Sequence, residues 1–392
     1  MFYQWLLNPL VAFSGRQAPE VPKVLSGEKA GRTETGGSLP YYLEVSRQAG
    51  IQFTLTCGRR EKRAIIESLA GGVAWIDYNN DGYPDLFPVN STTWEDWRAG
   101  LGQSSRLFRN NKDGTFTDVT ARSGLKRVGW GMGVAVGDYD HDGRLDLVKT
   151  NFSDDADNLY HNNGEGTFSD VAFAAGLGEL TWPALAFGAE FLDFDNDGRK
   201  DIFMANGHVN PEVDTTSTGI TYAERNFLFR NLRNGRFGEI GQQAGPALGL
   251  RKVSRGVAVA DYDNDGQPEI LVTNLDSTPD LLRNARPNAN HSVLVKTLGR
   301  ESNRNGYGAR IQVTAGDLVQ LDEVRSCGSY LSASDARCHF GLGQATTMER
   351  LEIRWPAGRL ETLTHLPADH VLILEEGKGL IEAIPFKKRR PR

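Results

Sequence analysis

One pattern recurs along the chain four times without a gap: Gly72 to Asn90, Gly133 to Asn151, Gly188 to Asn206 and Gly256 to Asn274. In every copy a glycine stands five residues before an acidic loop begins, a second glycine five after that start, and an asparagine thirteen after it. Repetition of this kind constrains a fold more than composition does, because each unit must bury its apolar face against the next. The loops place their polar residues at positions 1, 3, 5 and 9: Asp77, Asn79, Asp81 and Asp85; Asp138, Asp140, Asp142 and Asp146; Asp193, Asp195, Asp197 and Asp201; Asp261, Asp263, Asp265 and Glu269.

Three or four carboxylates within nine residues repel one another by about 1–4 kcal/mol per close pair, so the spacing calls for a cation. The glycine at position 6 (Gly82, Gly143, Gly198, Gly266) permits the sharp turn that aims alternate oxygens inward. Position 7 (Tyr83, Arg144, Arg199, Gln267) can add a backbone carbonyl. Such a set of hard oxygen ligands suits Ca2+ better than magnesium or zinc, and predicts about four sites. A helical calcium hand would end in a bidentate Glu at position 12, where this chain has Pro88, Lys149, Met204 and Val272. The loops are therefore expected to join β-strands, with a metal-free Asp/Gly turn as the plain alternative.

A second unit follows the loops: Leu107 to Val119, Leu159 to Val171 and Leu228 to Ile240 each read as two short strands around an Asn- and Gly-rich turn. The fourth copy fades after Leu281. Loop starts at Asp77, Asp138, Asp193 and Asp261 lie roughly sixty residues apart, which fits one four-stranded propeller blade per repeat.

The remaining composition agrees with an all-β protein: 392 residues, 39% hydrophobic, 24% charged, with 44 glycines. A net charge of −6 argues against nucleic acid as a partner, and Lys387, Lys388, Arg389, Arg390 and Arg392 read as a solvated tail. Cys57, Cys327 and Cys338 make no disulfide scaffold but leave a Cys327–Cys338 bridge open. The apolar start, Met1 to Ser14, lacks a basic region and is interrupted by Asn8 and Pro9, so it is not a convincing export signal. No run reaches membrane-spanning length.

The loops resemble FG-GAP/VCBS repeats, the calcium-binding blade motif of integrin-type propellers. Downstream, Asn303 to Arg310, Ser329 to Ser332, His339 to Gly343 and Arg354 to Gly358 resemble the ASPIC/UnbV domain. The pairing is similar to the CRTAC-like (cartilage acidic protein) family over roughly residues 41–377. The resemblance implies a secreted or periplasmic calcium-binding β-propeller that recognises or adheres to a protein or carbohydrate partner. Relatives beside enediyne biosynthesis genes supply the alternative of a calcium-dependent enzyme or accessory protein. The expected organisation is an N-terminal extension at 1–40, a propeller at 41–290, a small β-sandwich-like ASPIC/UnbV domain at 291–377 and a basic tail at 378–392. Sandwich strands are expected near Val293 to Leu298, Arg310 to Thr314, Val319 to Val324, Leu351 to Trp355 and Val371 to Leu374.

Catalytic signatures are missing: there is no Gly-x-Ser-x-Gly elbow, phosphate loop, His-Glu-x-x-His or Cys-x-x-Cys. The histidines are scattered, and His141 reads as a solvent-facing loop residue. Comparing copies isolates one departure, Glu190, where the others have Ala74, Ala135 and Ala258. It reads as a solvated channel acid or a partner of Arg255, or, more sharply, as an acid/base site with His208. Copies one and three also lengthen after their asparagine, at Ser91 to Arg106 and Gly207 to Asn226. Their Trp94, Asp96, Trp97, His208, Glu212, Asp214 and Tyr222 suit protein or glycan recognition.

Overall fold

Each acidic loop is the turn between the first two strands of an antiparallel sheet. The computed structural model describes residues 43–387 except 60, 61, 63, 286–288 and 327. The first sheet runs through Val73–Ile76, Asp85–Pro88, Phe108–Asn110 and Phe116–Asp118 in that order. The second runs through Gly131–Gly137, Asp146–Asn151, Asn158–Gly164 and Thr167–Asp170. The third uses Ala186–Leu192, Asp201–Asn206, Phe227–Asn231 and Phe237–Glu239. These are propeller blades. The fourth has three strands among the described residues, Ser254–Ala260, Glu269–Asn274 and Asp280–Leu282, where the repeated hairpin fades.

The hydrophobic core lies between blades, which explains why their second strands are apolar on both faces. Ile202 and Met204 pack toward Val148 and Leu159 of the second blade, while Phe203 and Ala205 pack toward Val257 and Val272 of the fourth. A strand covered on both sides has no solvent face to carry polar residues. The first strands of successive blades neighbour one another in sequence order, so they line the middle of the array.

Residues His291–Pro385 form two facing four-stranded sheets around one core that includes Val295, Ile311, Phe340, Leu351 and Leu372. This is the expected sandwich, with more strands than its sequence announced. Cys338–Gly343 and Leu360–Pro367 are strands, although the former reads as a glycine motif. The segment expected as a basic tail from 378 contributes the edge strand Gly379–Pro385, paired with His370–Glu375. The extension at 1–40 and Cys327, and with it the open Cys327–Cys338 bridge, lie outside the described residues.

Between its strands Leu318–Glu323 and Cys338–Gly343 the sandwich sends a hairpin into the blades, bridged at Ser329 and Ser332. It runs alongside the repeat glycines. A β-carbon on Gly133 would lie 3.3 Å from Tyr330 Cβ, one on Gly188 3.0 Å from Ser329 Oγ, and one on Gly256 2.5 Å from Ser332 Oγ. The same positions face neighbouring backbone, with Phe187 O at 2.4 Å from a β-carbon at Gly133 and Arg255 O at 2.9 Å from one at Gly188. The glycine five residues before each loop is thus a requirement of close approach, and the hairpin is a plug through the middle of the array. Its tip places Tyr330 against Phe187, with ring centroids 5.1 Å apart, and leaves Leu331 88% exposed.

A side chain that recurs in the hairpins ties each blade to the one before. Asn162 Nδ2 donates to Tyr78 O at 2.8 Å, Asn231 Nδ2 to Tyr139 O at 2.8 Å and Asn284 Nδ2 to Phe194 O at 2.8 Å. Asn231 also donates to Lys200 O at 3.1 Å, so Asn231→Ala strands two carbonyls. We expect it to lower unfolding free energy by about 2–4 kcal/mol. Urea denaturation checks this, and an unchanged midpoint would deny the strut its role.

Candidate metal centres

The four loops share one backbone geometry. Position 4 is left-handed in all of them (Asn80 φ 58°, His141 φ 65°, Asn196 φ 57°, Asn264 φ 56°), and so is the glycine at position 6. That curl points amides at the first acid. Asp77 accepts from Asp81 N at 3.0 Å and Gly82 N at 2.9 Å. Asp193 accepts from Asp197 N at 3.1 Å and Gly198 N at 2.8 Å, and Asp261 from Asp265 N at 3.0 Å and Gly266 N at 2.8 Å. Asp138 accepts from His141 N at 2.9 Å and Gly143 N at 3.1 Å. The acid at position 9 is held by the asparagine of the hairpin, with Asn110 N on Asp85, Asn162 N on Asp146 and Asn231 N on Asp201, each at 2.7 Å.

The sequence-predicted ligands converge. Asp138, Asp140 and Asp142, then Asp193, Asp195 and Asp197, then Asp261, Asp263 and Asp265 each offer oxygens within 4.8 Å of one another. Asp140, Asp146 and His161 form a further such group. Positions 1 and 9 are buried, while positions 3 and 5 lie nearer solvent. Position 7 presents its amide to position 5, as Arg144 does to Asp142 at 2.9 Å, Arg199 to Asp197 at 3.0 Å, Gln267 to Asp265 at 3.1 Å and Tyr83 to Asp81 at 3.0 Å.

The electrostatics call for positive charge. Burial, then the neighbouring Asp140 and Asp142, push Asp138 up to about 7. Burial likewise raises Asp85 to about 7 and Glu269 to about 8, and lifts Asp146, Asp193 and Asp201 well above the carboxylate range. Asp140 Oδ1, Asp263 Oδ1 and both carboxylate oxygens of Glu269 are buried without a hydrogen-bond partner. Orphaned hard oxygens beside like charges fit a divalent cation.

Basic side chains already approach several of these acids, through a signal the sequence carried but the loops alone concealed. The third residue of the hairpin unit leans onto position 3: His161 Nδ1 lies 3.1 Å from Asp140, Arg230 Nη2 2.6 Å from Asp195 and Arg283 Nη2 3.9 Å from Asp263. Arg144 also pairs with Asp142. In loop one Lys112 Nζ lies 3.3 Å from Asp81, and the sandwich delivers Arg310 Nη1 to 2.8 Å from Asp77. His141 is not the solvent-facing residue expected: burial takes it down to about 4, and its ring meets the backbone of Gly198 in the next loop. Asn80 and Asn196 make the equivalent link, to Gly143 O at 2.8 Å and Gly266 O at 2.9 Å. Asn264 has no further loop to reach and is bonded instead by Arg337 of the plug.

Glu190 and His208 are not brought together. Glu190 pairs across the third blade with Phe203, whereas His208 follows Asn206 at the other end of that strand. Glu190 accepts from Ser334 Oγ at 3.1 Å at the base of the plug, and burial raises it to about 7. His208 packs on Phe152 with ring centroids 5.4 Å apart, and burial lowers it to about 4. Arg255 does not pair with Glu190 either: it donates to Gly207 O at 2.9 Å and stacks 4.2 Å over Phe187.

Both insertions leave the blades at the end opposite the acidic loops, because they follow the second strand rather than the first. Trp94 and Trp97 of the short helix Trp94–Arg98 cluster with Trp130, at centroid distances of 4.6 and 6.3 Å from it. Glu212 and Asp214 sit on the 3-10 turn Pro211–Thr215, where Asp214 accepts from Tyr222 N at 2.8 Å.

Residues 77–148, 150–204 and 213–272 match the FG-GAP-like repeat, and 299–381 match the ASPIC and UnbV domain. Cartilage acidic protein 1 of Homo sapiens is 27% identical over 265 residues, a match covering 65% of this chain and 37% of that protein. Its Xenopus tropicalis counterpart is 26% identical over 275 residues, covering 65% and 38%. The chain thus spans little more than a third of the length of these relatives. Among solved structures, an Agrocybe aegerita lectin recognising non-reducing terminal N-acetylglucosamine aligns at 18% identity and a TM-score of 0.25, covering 55% of this chain and 66% of that one. An exotype rhamnogalacturonan lyase aligns at 17% identity and a TM-score of 0.27, covering 77% and 65%. Superpositions this loose carry no functional comparison.

Proposed function

The chain belongs to the FG-GAP repeat proteins that carry an ASPIC/UnbV domain, the cartilage acidic protein family, and from that premise we propose that it is a calcium-loaded recognition propeller working outside the cytoplasm. The observation that carries this reading is the set of three loops whose carboxylates converge within 4.8 Å while buried oxygens among them lack partners. Asp138, Asp140, Asp142 and Asp146, with the corresponding residues of loops three and four, would hold the ions; Asp77, Asn79, Asp81 and Asp85 form the fourth candidate site. A bound ion neutralises each loop and fixes the turn that joins two blade strands. It performs no chemistry in this account.

Sites of this kind in extracellular modules bind at about 0.1–1 mM, which extracytoplasmic calcium fills and cytosolic calcium does not. This affinity argument, rather than any leader segment, is the support for an extracellular or periplasmic setting. No helix among the described residues is long and apolar enough to cross a membrane. A protein or glycan partner would meet the face opposite the loops, where the insertions bring Trp97 and Glu212 and the plug tip brings the exposed Leu331.

Calorimetric titration of the metal-free protein with CaCl2 should show saturable binding below about 1 mM, one equivalent fewer in Asp193→Asn, and no comparable uptake of MgCl2. Glycan and protein arrays probed with and without chelator would then identify a calcium-dependent partner. A protein that takes up no calcium at millimolar concentration would end this reading.

A further inference from the structure

Loop one differs from the other three in what faces it. Arg310 Nη1 lies 2.8 Å from Asp77 Oδ2, and the two side chains are only 12% and 5% exposed. Arg310 begins the sandwich strand Arg310–Ala315, where it is paired on one side with Glu323 and on the other with Arg354. Arg354 stands over the same loop, since a β-carbon on Gly82 would lie 3.8 Å from its Nη1. Both guanidinium groups wall a groove of about 300 Å³ shared with Asp77, Asn80 and Gly82. Position 3 is Asn79, so this loop has one carboxylate fewer than the others. In loops two, three and four the basic side chains touch the carboxylates of positions 3, 5 or 9, and among the described residues none is within ion-pair distance of the Asp138, Asp193 or Asp261 carboxylate; Arg337 reaches loop four only through the Asp261 carbonyl, to which its Nη2 donates at 2.8 Å.

We propose that Arg310 supplies loop one with a built-in cation, so that the chain takes calcium tightly at loops two, three and four and only weakly at loop one. The inference rests on the calcium reading above. A divalent ion about 5 Å from a fixed guanidinium is disfavoured at least about tenfold even at the dielectric of water. Burial of both partners keeps the guanidinium from swinging aside. By reciprocity, an ion forced into loop one loosens the sandwich from the first blade by the same factor.

Calorimetric titration of the metal-free full chain with CaCl2 decides this. The wild type should show three tight equivalents and a fourth at least about tenfold weaker. Arg310→Gln should move the fourth into the tight class, while Arg310→Lys, which keeps the charge, should leave it weak. Asp77→Asn should abolish the weak class and leave three. If Arg310→Gln does not fold, Arg310→Met, which keeps the stem and drops the charge, makes the same comparison, while Asp77→Asn still places the weak class at loop one. Four equal equivalents in the wild type, or a weak class untouched by Arg310→Gln or surviving Asp77→Asn, would overturn this proposal alone; no calcium uptake at all would overturn it together with the calcium reading.

Discussion

Chelation should lower the melting temperature of this protein by about 15 °C or more relative to about 10 mM calcium. An ion that binds the folded loops and not the unfolded chain stabilises by about 2.7 kcal/mol per site at one hundred times Kd. Three such sites sum to roughly 8 kcal/mol, and for a unit of 150–250 residues, as the blades from Val73 to Leu282 are, each kcal/mol is worth about 2–4 °C. The loops would not collapse outright, because His161, Arg230 and Arg283 already lean on their position-3 acids. Scanning calorimetry in about 10 mM CaCl2, about one hundred times a Kd of about 0.1 mM, and in chelator makes the comparison. Identical curves would remove metal from any account of this fold.

The second large effect belongs to Asp322. This sandwich residue lies 2.7 Å from Lys200 Nζ of the third blade and 3.0 Å from Arg325 Nη1. Its side chain is 14% exposed and that of Lys200 10%, so Asp322→Ala leaves two cations facing each other out of water. We expect a loss of about 3–5 kcal/mol. Release of the sandwich from the blades should accompany it, read as new tryptic cleavage between residues 283 and 291. Unchanged cleavage and urea midpoint would show that other contacts hold the two parts together.

The same residue gives a pH dependence with a definite sign. Burial alone would raise the Asp322 carboxyl, but Lys200 and Arg325 outweigh it and hold it below its ordinary value. A depressed acid stabilises the folded state above the unfolded pKa, near 4, and that stabilisation drains away as pH falls through the lower folded value. Between pH 5 and 7 the Asp322 contribution should therefore be flat, and below about 4 it should fall.

Much of this molecule was legible because its signal repeats. Strand, loop and hairpin recur in register, so Asp77, Asp138, Asp193 and Asp261 announced the same turn four times. The convergence of positions 1, 3 and 5 followed from one glycine at position 6 and one left-handed residue at position 4. What stayed hidden depended on a neighbour the sequence does not name. The asparagines of the hairpins look like ordinary turn residues until Asn162 is seen bonded to Tyr78 in the previous blade. His141 looks polar and free until the next loop covers it. Gly379–Pro385 was masked by the basic run beyond it, and Arg310 by lying far along the chain from Asp77. Glu190 stood out correctly as an odd residue among its copies, but its partner came from the plug rather than from His208.

The plug has a consequence for how the chain can be made. Ribosomes deliver the blades first, and at 5–20 residues per second the stretch from Gly256 to Ser332 takes roughly 4–15 s to follow. Until then Gly133, Gly188 and Gly256 border an empty shaft, and the inner strands have nothing to close upon. A chain cut short before Ser329 therefore loses part of the interior of its blades and not merely a terminal domain.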